Sequence, residues 1–244
     1  MFFRFLRRLF SKPAPSTAIL DNETFHRRFR AGERNFANTI LKDVALEGVC
    51  LRGINFRQAD LRLVRDLHQG VCLADADLSG VNLSGMNLRG VDLSHAVLQK
   101  ADLSGIQLTG ANLEGVNLAQ ANLENAVLEY ANLTEVCCVQ AQLDGANLHH
   151  AYLRGANLFR CSLRGANLSF TSLEKANLSK ADFSLANLSW AHLASANVTD
   201  TCFYGANLSW SDFDGTNLLQ AKTDQTAPTH IRLPAGVTLK HKNT

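Results

Sequence analysis

Six cysteines and eight histidines are the residues of this chain best suited to metal binding or nucleophilic chemistry, and their spacing serves neither. No C-x-x-C pair occurs, and no histidines flank the cysteines at ligand spacing. His149-His150 forms the one local cluster, with His192 following 42 residues later. The remaining titratable groups, 22 Asp and Glu, are scattered through a regular phrase rather than gathered into an acid–base pair. The residue types therefore predict no enzyme, no metal and no cofactor. What has to be explained is the phrase that places them.

That phrase is five residues long and runs from 71 to 220 without a slip: Ala111-Asn112-Leu113-Glu114-Gly115, Ala146-Asn147-Leu148-His149-His150, Ala206-Asn207-Leu208-Ser209-Trp210. Its third position is Leu in 25 of 30 repeats, the exceptions being Cys138, Phe183, Val198, Phe203 and Phe213; its first is Ala in 18. A helix would turn successive leucines by roughly 140° and leave no apolar stripe. A flat strand would point them to alternate faces, because five is odd. The period is consistent only with a short extended piece followed by a bend in every repeat. Four quarter-turn bends then close a square coil, and residue i + 20 lies one coil above residue i.

The A-[DN]-L-x-x pattern resembles that of the pentapeptide-repeat family. The resemblance implies an all-β fold, a right-handed quadrilateral parallel β-helix, here with a short N-terminal α-helical cap. Thirty repeats make 7.5 coils, or about 36 Å of rod at roughly 4.8 Å per coil. Leu and its small partner fill a narrow interior. Phe183 and Phe203, 20 apart, are expected to stack inside. Asn147, Asn167, Asn187 and Asn207 are expected to bond amide to amide up an outer face. Cys138 and Cys161 fall at inward positions and Cys50, Cys72, Cys137 and Cys202 at outward ones; all six read as structural thiols of a reducing compartment.

Around this run the chain divides into a basic amphipathic segment with linker (1–20), a capping helix (21–33), a first repeat block (34–63), a register-breaking bulge (64–70) and a C-terminal cap (221–244). Asp21 suits a helix N-cap, with Phe25 and Phe29 on one side of that helix. From Ala59 to Val71 is two residues more than two repeats, which the bulge must absorb. In residues 1–12, Phe2, Phe3, Phe5, Leu6, Leu9 and Phe10 would share one helical face, opposite Arg4, Arg7, Arg8 and Lys12. That pattern suits a peripheral anchor on an anionic membrane surface and is too short to span one. A helix packed on the rod and an organelle transit peptide are the alternative readings, and the localisation expected is cytoplasmic, with attachment to the inner face of a membrane where the segment serves as an anchor.

The outward positions are uneven. One corner column reads Gly90, Gly110, Tyr130, His150, Phe170, Trp190, Trp210, with Tyr152 beside it. Another reads Lys100, Gln120, Gln140, Arg160, Lys180 and is solvated; on a third, Arg154 and Glu174 are in register to pair. Exposed aromatic columns favour interfaces. The prediction is a scaffold binding a protein partner, or a second copy of the chain, through Tyr130, His150, Phe170, Trp190, Trp210 and Tyr152, with no direct nucleic-acid contact. The alternative implied by the resemblance is DNA mimicry toward DNA gyrase. Charge argues against it: DNA of this length carries roughly 21 phosphates, whereas residues 71–220 hold 14 acids and 7 Lys/Arg, and residues 1–70 hold 13 Lys/Arg against 7 acids.

Overall fold

The computed structural model describes residues 18–64, 67, 71–226 and 230–233. The run folds as a β-helix. From Cys72 to His192 each second-position residue pairs in parallel with the residue 20 further on, as in Asn112↔Asn132, Asn132↔Tyr152 and Asn147↔Asn167. Twenty residues per coil is four repeats, so the coil has four sides.

In an Asn- or Asp-bearing repeat such as 111–115 every backbone N–H has a defined partner, which accounts for the phrase position by position. In the repeat that begins at Ala111, Asn112 donates to the Val91 carbonyl at 2.9 Å, Leu113 to Asn132 at 2.7 Å and Gly115 to Thr134 at 2.9 Å, all between coils. Val116 closes the turn onto the Leu113 carbonyl at 3.2 Å. The remaining donor, the fourth-position N–H of Glu114, reaches the Asn112 side-chain oxygen at 3.3 Å. The Asn/Asp of the phrase therefore caps its own turn, an Asx-turn repeated along the rod. Asparagine does more, because its amide nitrogen is free to donate to the coil below. Asn167 donates to Asn147 at 3.2 Å, Asn187 to Asn167 at 3.3 Å and Asn207 to Asn187 at 3.2 Å, the ladder read from the sequence.

The interior is a single column of buried side chains, with Leu148, Ala146, Leu168 and Ala166 fully excluded from solvent. Phe183 and Phe203 stack at 5.5 Å, as their spacing requires, and Phe213 meets Phe203 edge-on at 5.9 Å. Where Thr or Ser replaces the small apolar residue in the later coils, its hydroxyl donates to a backbone carbonyl: Thr201 to Leu178 at 2.8 Å, Thr216 to Leu193 at 2.9 Å. No buried hydroxyl is thereby stranded at these positions.

At the N-terminal end, β1 (Ala18–Leu20) pairs in parallel with β2 (Thr39–Leu41). Between them lies α1 (Asn22–Arg30), whose N-cap Asp21 accepts the Thr24 N–H at 2.8 Å. Phe25 of α1 is fully buried, 4.8 Å from the Phe36 ring and 6.3 Å from Phe56, so the helix is seated on the first coil by aromatic contact. Bridges below the main run have a 20-residue offset at Asn35↔Asn55, then 22 at Cys50↔Cys72, Asn55↔Asp77 and Asp60↔Asn82. The two surplus residues are thus confined to one coil, in which Leu67 is buried. Beyond residue 220, Lys222 pairs with Cys202 and Arg232 with Asp212.

Candidate interaction surface

The corners of the rod are β-turns in which the fifth residue of the repeat is left-handed, from Asp75 to Gly215. A left-handed third turn residue is what a type II turn demands, and glycine meets it without strain. At one corner the glycines stop. Gly90 and Gly110 give way to Tyr130, His150, Phe170, Trp190 and Trp210, with φ of 58°, 56°, 60°, 62° and 62°. Bulky residues there carry a backbone cost of about 1–2 kcal/mol each.

In this conformation each side chain lies against the coil above. Tyr130 stacks on His150 at 5.2 Å, His150 on Phe170 at 5.0 Å, Phe170 on Trp190 at 5.9 Å and Trp190 on Trp210 at 4.9 Å. The two tryptophans are within 2° of parallel. A sixth ring, His230, caps Trp210 at 4.0 Å and 7°. Sequence reading missed His230 because the phrase has faded by that point; the 20-residue spacing from Trp210 was the available signal. His149 braces the column edge-on against His150 and Phe170 and is held by Ser169 at 2.8 Å. Tyr152 lies on the adjoining face, bridging Asn132 and Ser172, and takes no part in the stack.

Stacking covers the ring faces and leaves the edges outward: Tyr130, Phe170, Trp190 and Trp210 remain 43–54% exposed. The result is a ridge about 24 Å long at the coil spacing. Its flanks are uncharged from His150 to Trp190, whereas Glu129 adjoins Tyr130, and Asp212 and Arg232 adjoin Trp210 and His230. Residues 146–153, 166–173, 186–193 and 206–211 contain no Asp, Glu, Lys or Arg. In the same coils the other three corners and the faces between them carry Arg154, Arg160, Arg164, Glu174, Lys175, Lys180 and Asp182. There Arg164 pairs with Asp182 at 3.0 Å. The Arg154–Glu174 pair allowed by register is not formed; Glu174 instead accepts the Ser172 hydroxyl, two residues away.

The chemistry-bearing residues stay dispersed. Among the described residues no group of three His, Cys, Asp or Glu is placed to hold a metal ion. Burial drives the Cys161 thiol up to about 12 and raises Cys138 well above its ordinary value, so both behave as apolar core groups. Arg62 bonds Asp60 and lowers its carboxyl from the ordinary range. Among the described residues no helix is long and apolar enough to cross a membrane. Phe2, Phe3, Arg4, Phe5, Leu6, Arg7, Arg8, Leu9 and Phe10 lie outside the described residues.

Comparison with known proteins agrees with the architecture. The family model for pentapeptide repeats matches residues 35–65, 72–110, 106–137, 141–179, 161–200 and 181–220. Among solved structures, the chain is similar to HetL of the cyanobacterium Nostoc sp. strain PCC 7120, a pentapeptide repeat protein involved in regulating heterocyst differentiation. Identity there is 32%, covering 85% of this chain and 96% of HetL, with a TM-score of 0.51. A pentapeptide repeat protein of the Arabidopsis thaliana thylakoid lumen is 30% identical over 46% of this chain and 68% of its own, at a TM-score of 0.31. QnrB1, a plasmid-mediated fluoroquinolone resistance protein, is 17% identical over 66% of this chain and 92% of its own, at 0.32, a likeness of fold alone. No curated protein matches the chain.

Proposed function

The chain belongs to the pentapeptide-repeat family, and from that premise we propose that it works without chemistry of its own, as a rigid right-handed rod that displays one corner to a protein partner. The observation that carries this reading is the six-ring ridge from Tyr130 to His230, whose flanks carry no charge from His150 to Trp190. Interface centres are rich in Tyr and Trp and poor in charge, which is the composition of this panel and of no other side of the same coils. The partner that fits is a protein offering a shallow apolar groove with few charges, since the ridge presents ring edges and is convex. In this reading α1 closes the first coil, keeping its apolar interior from water and from edge pairing.

The test is affinity capture from the native host with the full chain and with Trp190→Ala/Trp210→Ala. Loss of the captured protein, with the mutant's circular dichroism and melting cooperativity retained, supports the ridge. Equal capture by the double mutant sinks it. The peripheral membrane tether through residues 1–12 is part of the same proposal and is tested separately. Full-length protein is expected to co-sediment with anionic vesicles more than protein lacking residues 1–12, and equal pelleting rejects the tether.

A further inference from the structure

The sequence spends its outward cysteines singly, with one exception. Cys137 lies in its column between Asn117 and Asn157, and Cys202 between Asp182 and Lys222. Cys50 and Cys72, however, are direct partners in a parallel bridge, one above the other in the column that continues through Asp92 and Asn112. Bridge partners in adjacent coils stand about 4.8 Å apart at Cα, inside the roughly 4.4–6.8 Å that a disulfide spans. Side chains in this column reach along it. Asn112 donates to Asp92 at 3.1 Å and Asn132 to Asn112 at 3.2 Å; the Cys72 sulfur faces the Asp92 carboxylate at 3.9 Å, on the side away from Cys50, and closure turns it about χ1 toward Cys50. Cys50 is exposed and Cys72 half-buried, both as free thiols. The pair also brackets the coil that absorbs the two surplus residues, the place where the repeat supplies least register of its own.

We propose that Cys50 and Cys72 form a reversible disulfide clasp across this irregular coil, closed by a peroxide or by glutathione disulfide. With peroxide, the exposed Cys50 sulfur attacks one peroxide oxygen, giving a sulfenic acid and one water. The Cys72 sulfur then attacks the Cys50 sulfur, the S–O bond breaks, and the hydroxyl leaves as water with the Cys72 proton. Two thiols are oxidised by two electrons and one peroxide is reduced to two waters. With glutathione disulfide, Cys50 first takes up one glutathionyl group and releases glutathione; Cys72 displaces the second by thiol–disulfide exchange. The buried Cys138 and Cys161 form a built-in control. Cys161 lies close enough to contact the Cys138 carbonyl, but burial holds both as thiols.

The experiment treats the full chain with hydrogen peroxide or glutathione disulfide, blocks free thiols with N-ethylmaleimide under native conditions, and digests with trypsin. Expected is a linked pair of peptides, 43–52 with 66–89, at their summed mass less two hydrogens, from protein that migrates as a monomer without reductant. Cys138 and Cys161 should be alkylated only after unfolding. In Cys72→Ser, where nothing resolves the first step, glutathionylated Cys50 should accumulate roughly tenfold above wild type. Three outcomes overturn the clasp: a linkage found only between two molecules, Cys50 over-oxidised while Cys72 is alkylated, or equal glutathionylation in wild type and Cys72→Ser.

Discussion

Two aromatic columns run through the same coils of the rod, and they are held there by different forces. Phe183 and Phe203 stack inside at 5.5 Å with no exposure. Trp190 and Trp210 stack outside at 4.9 Å, each nearly half exposed and in a left-handed backbone. The inner pair is accounted for by transfer from water alone. The outer pair gains less from burial and sits on backbones that glycine would occupy more cheaply. A third column shows that the corner does not require rings: Lys100, Gln120, Gln140, Arg160 and Lys180 adopt φ of 58–61°, the same turn, with polar side chains. Backbone geometry is common to both corners, so the choice of rings at one of them is not a demand of the fold.

The inside of the rod therefore carries the largest expected effect. Phe203→Ala should destabilise by about 3–5 kcal/mol, since the ring contacts Phe183 and Phe213 and leaves a cavity between coils. Urea unfolding followed by far-UV circular dichroism checks this. A loss below about 1 kcal/mol would place the Phe column on the same footing as the ridge and dissolve the contrast. Association through the ridge should survive Phe203→Ala in whatever fraction stays folded, because the two columns share no contact.

The interior was legible for a geometric reason. A period of five admits one arrangement of Leu and Ala, and 20-residue spacing then fixes which Phe meets which Phe and which Asn meets which Asn. Both were read from residue numbers alone and both are present. The corners were less legible because their determinants are backbone torsions. Nothing in Tyr130 or Lys180 announces φ near 60°, and the fourth-position N–H that selects Asn112 or Asn147 appears only when every donor is assigned. His230 was missed because spacing outlasts the phrase that announces it. Arg154 and Glu174 were in register, yet Glu174 is taken by the nearer Ser172 hydroxyl. Register fixes Cα positions and leaves competition among exposed side chains open, where ion pairs are worth about 0–1 kcal/mol.

The smallest effect sharpens the contrast most. Lys180 and Trp190 have the same backbone, φ 61° and 62°, ten residues apart at opposite corners of the rod. Lys180→Gly removes left-handed strain of about 1–2 kcal/mol and adds about 0.5–1 kcal/mol of unfolded-chain entropy to be lost, so it should be neutral or stabilising by up to about 1.5 kcal/mol. Trp190→Gly makes the identical backbone change but also removes the stacks on Phe170 and Trp210, each worth about 0.5–1.5 kcal/mol. Subtracting the two unfolding free energies cancels the backbone and isolates the ring. A difference of about 1–3 kcal/mol in favour of Lys180→Gly is expected. If it is near the top of that range, the ridge helps to hold the coils together as well as being displayed. If the two variants unfold alike, the rings contribute nothing to stability, and left-handed tryptophans on an uncharged corner have display as their sole physical rationale.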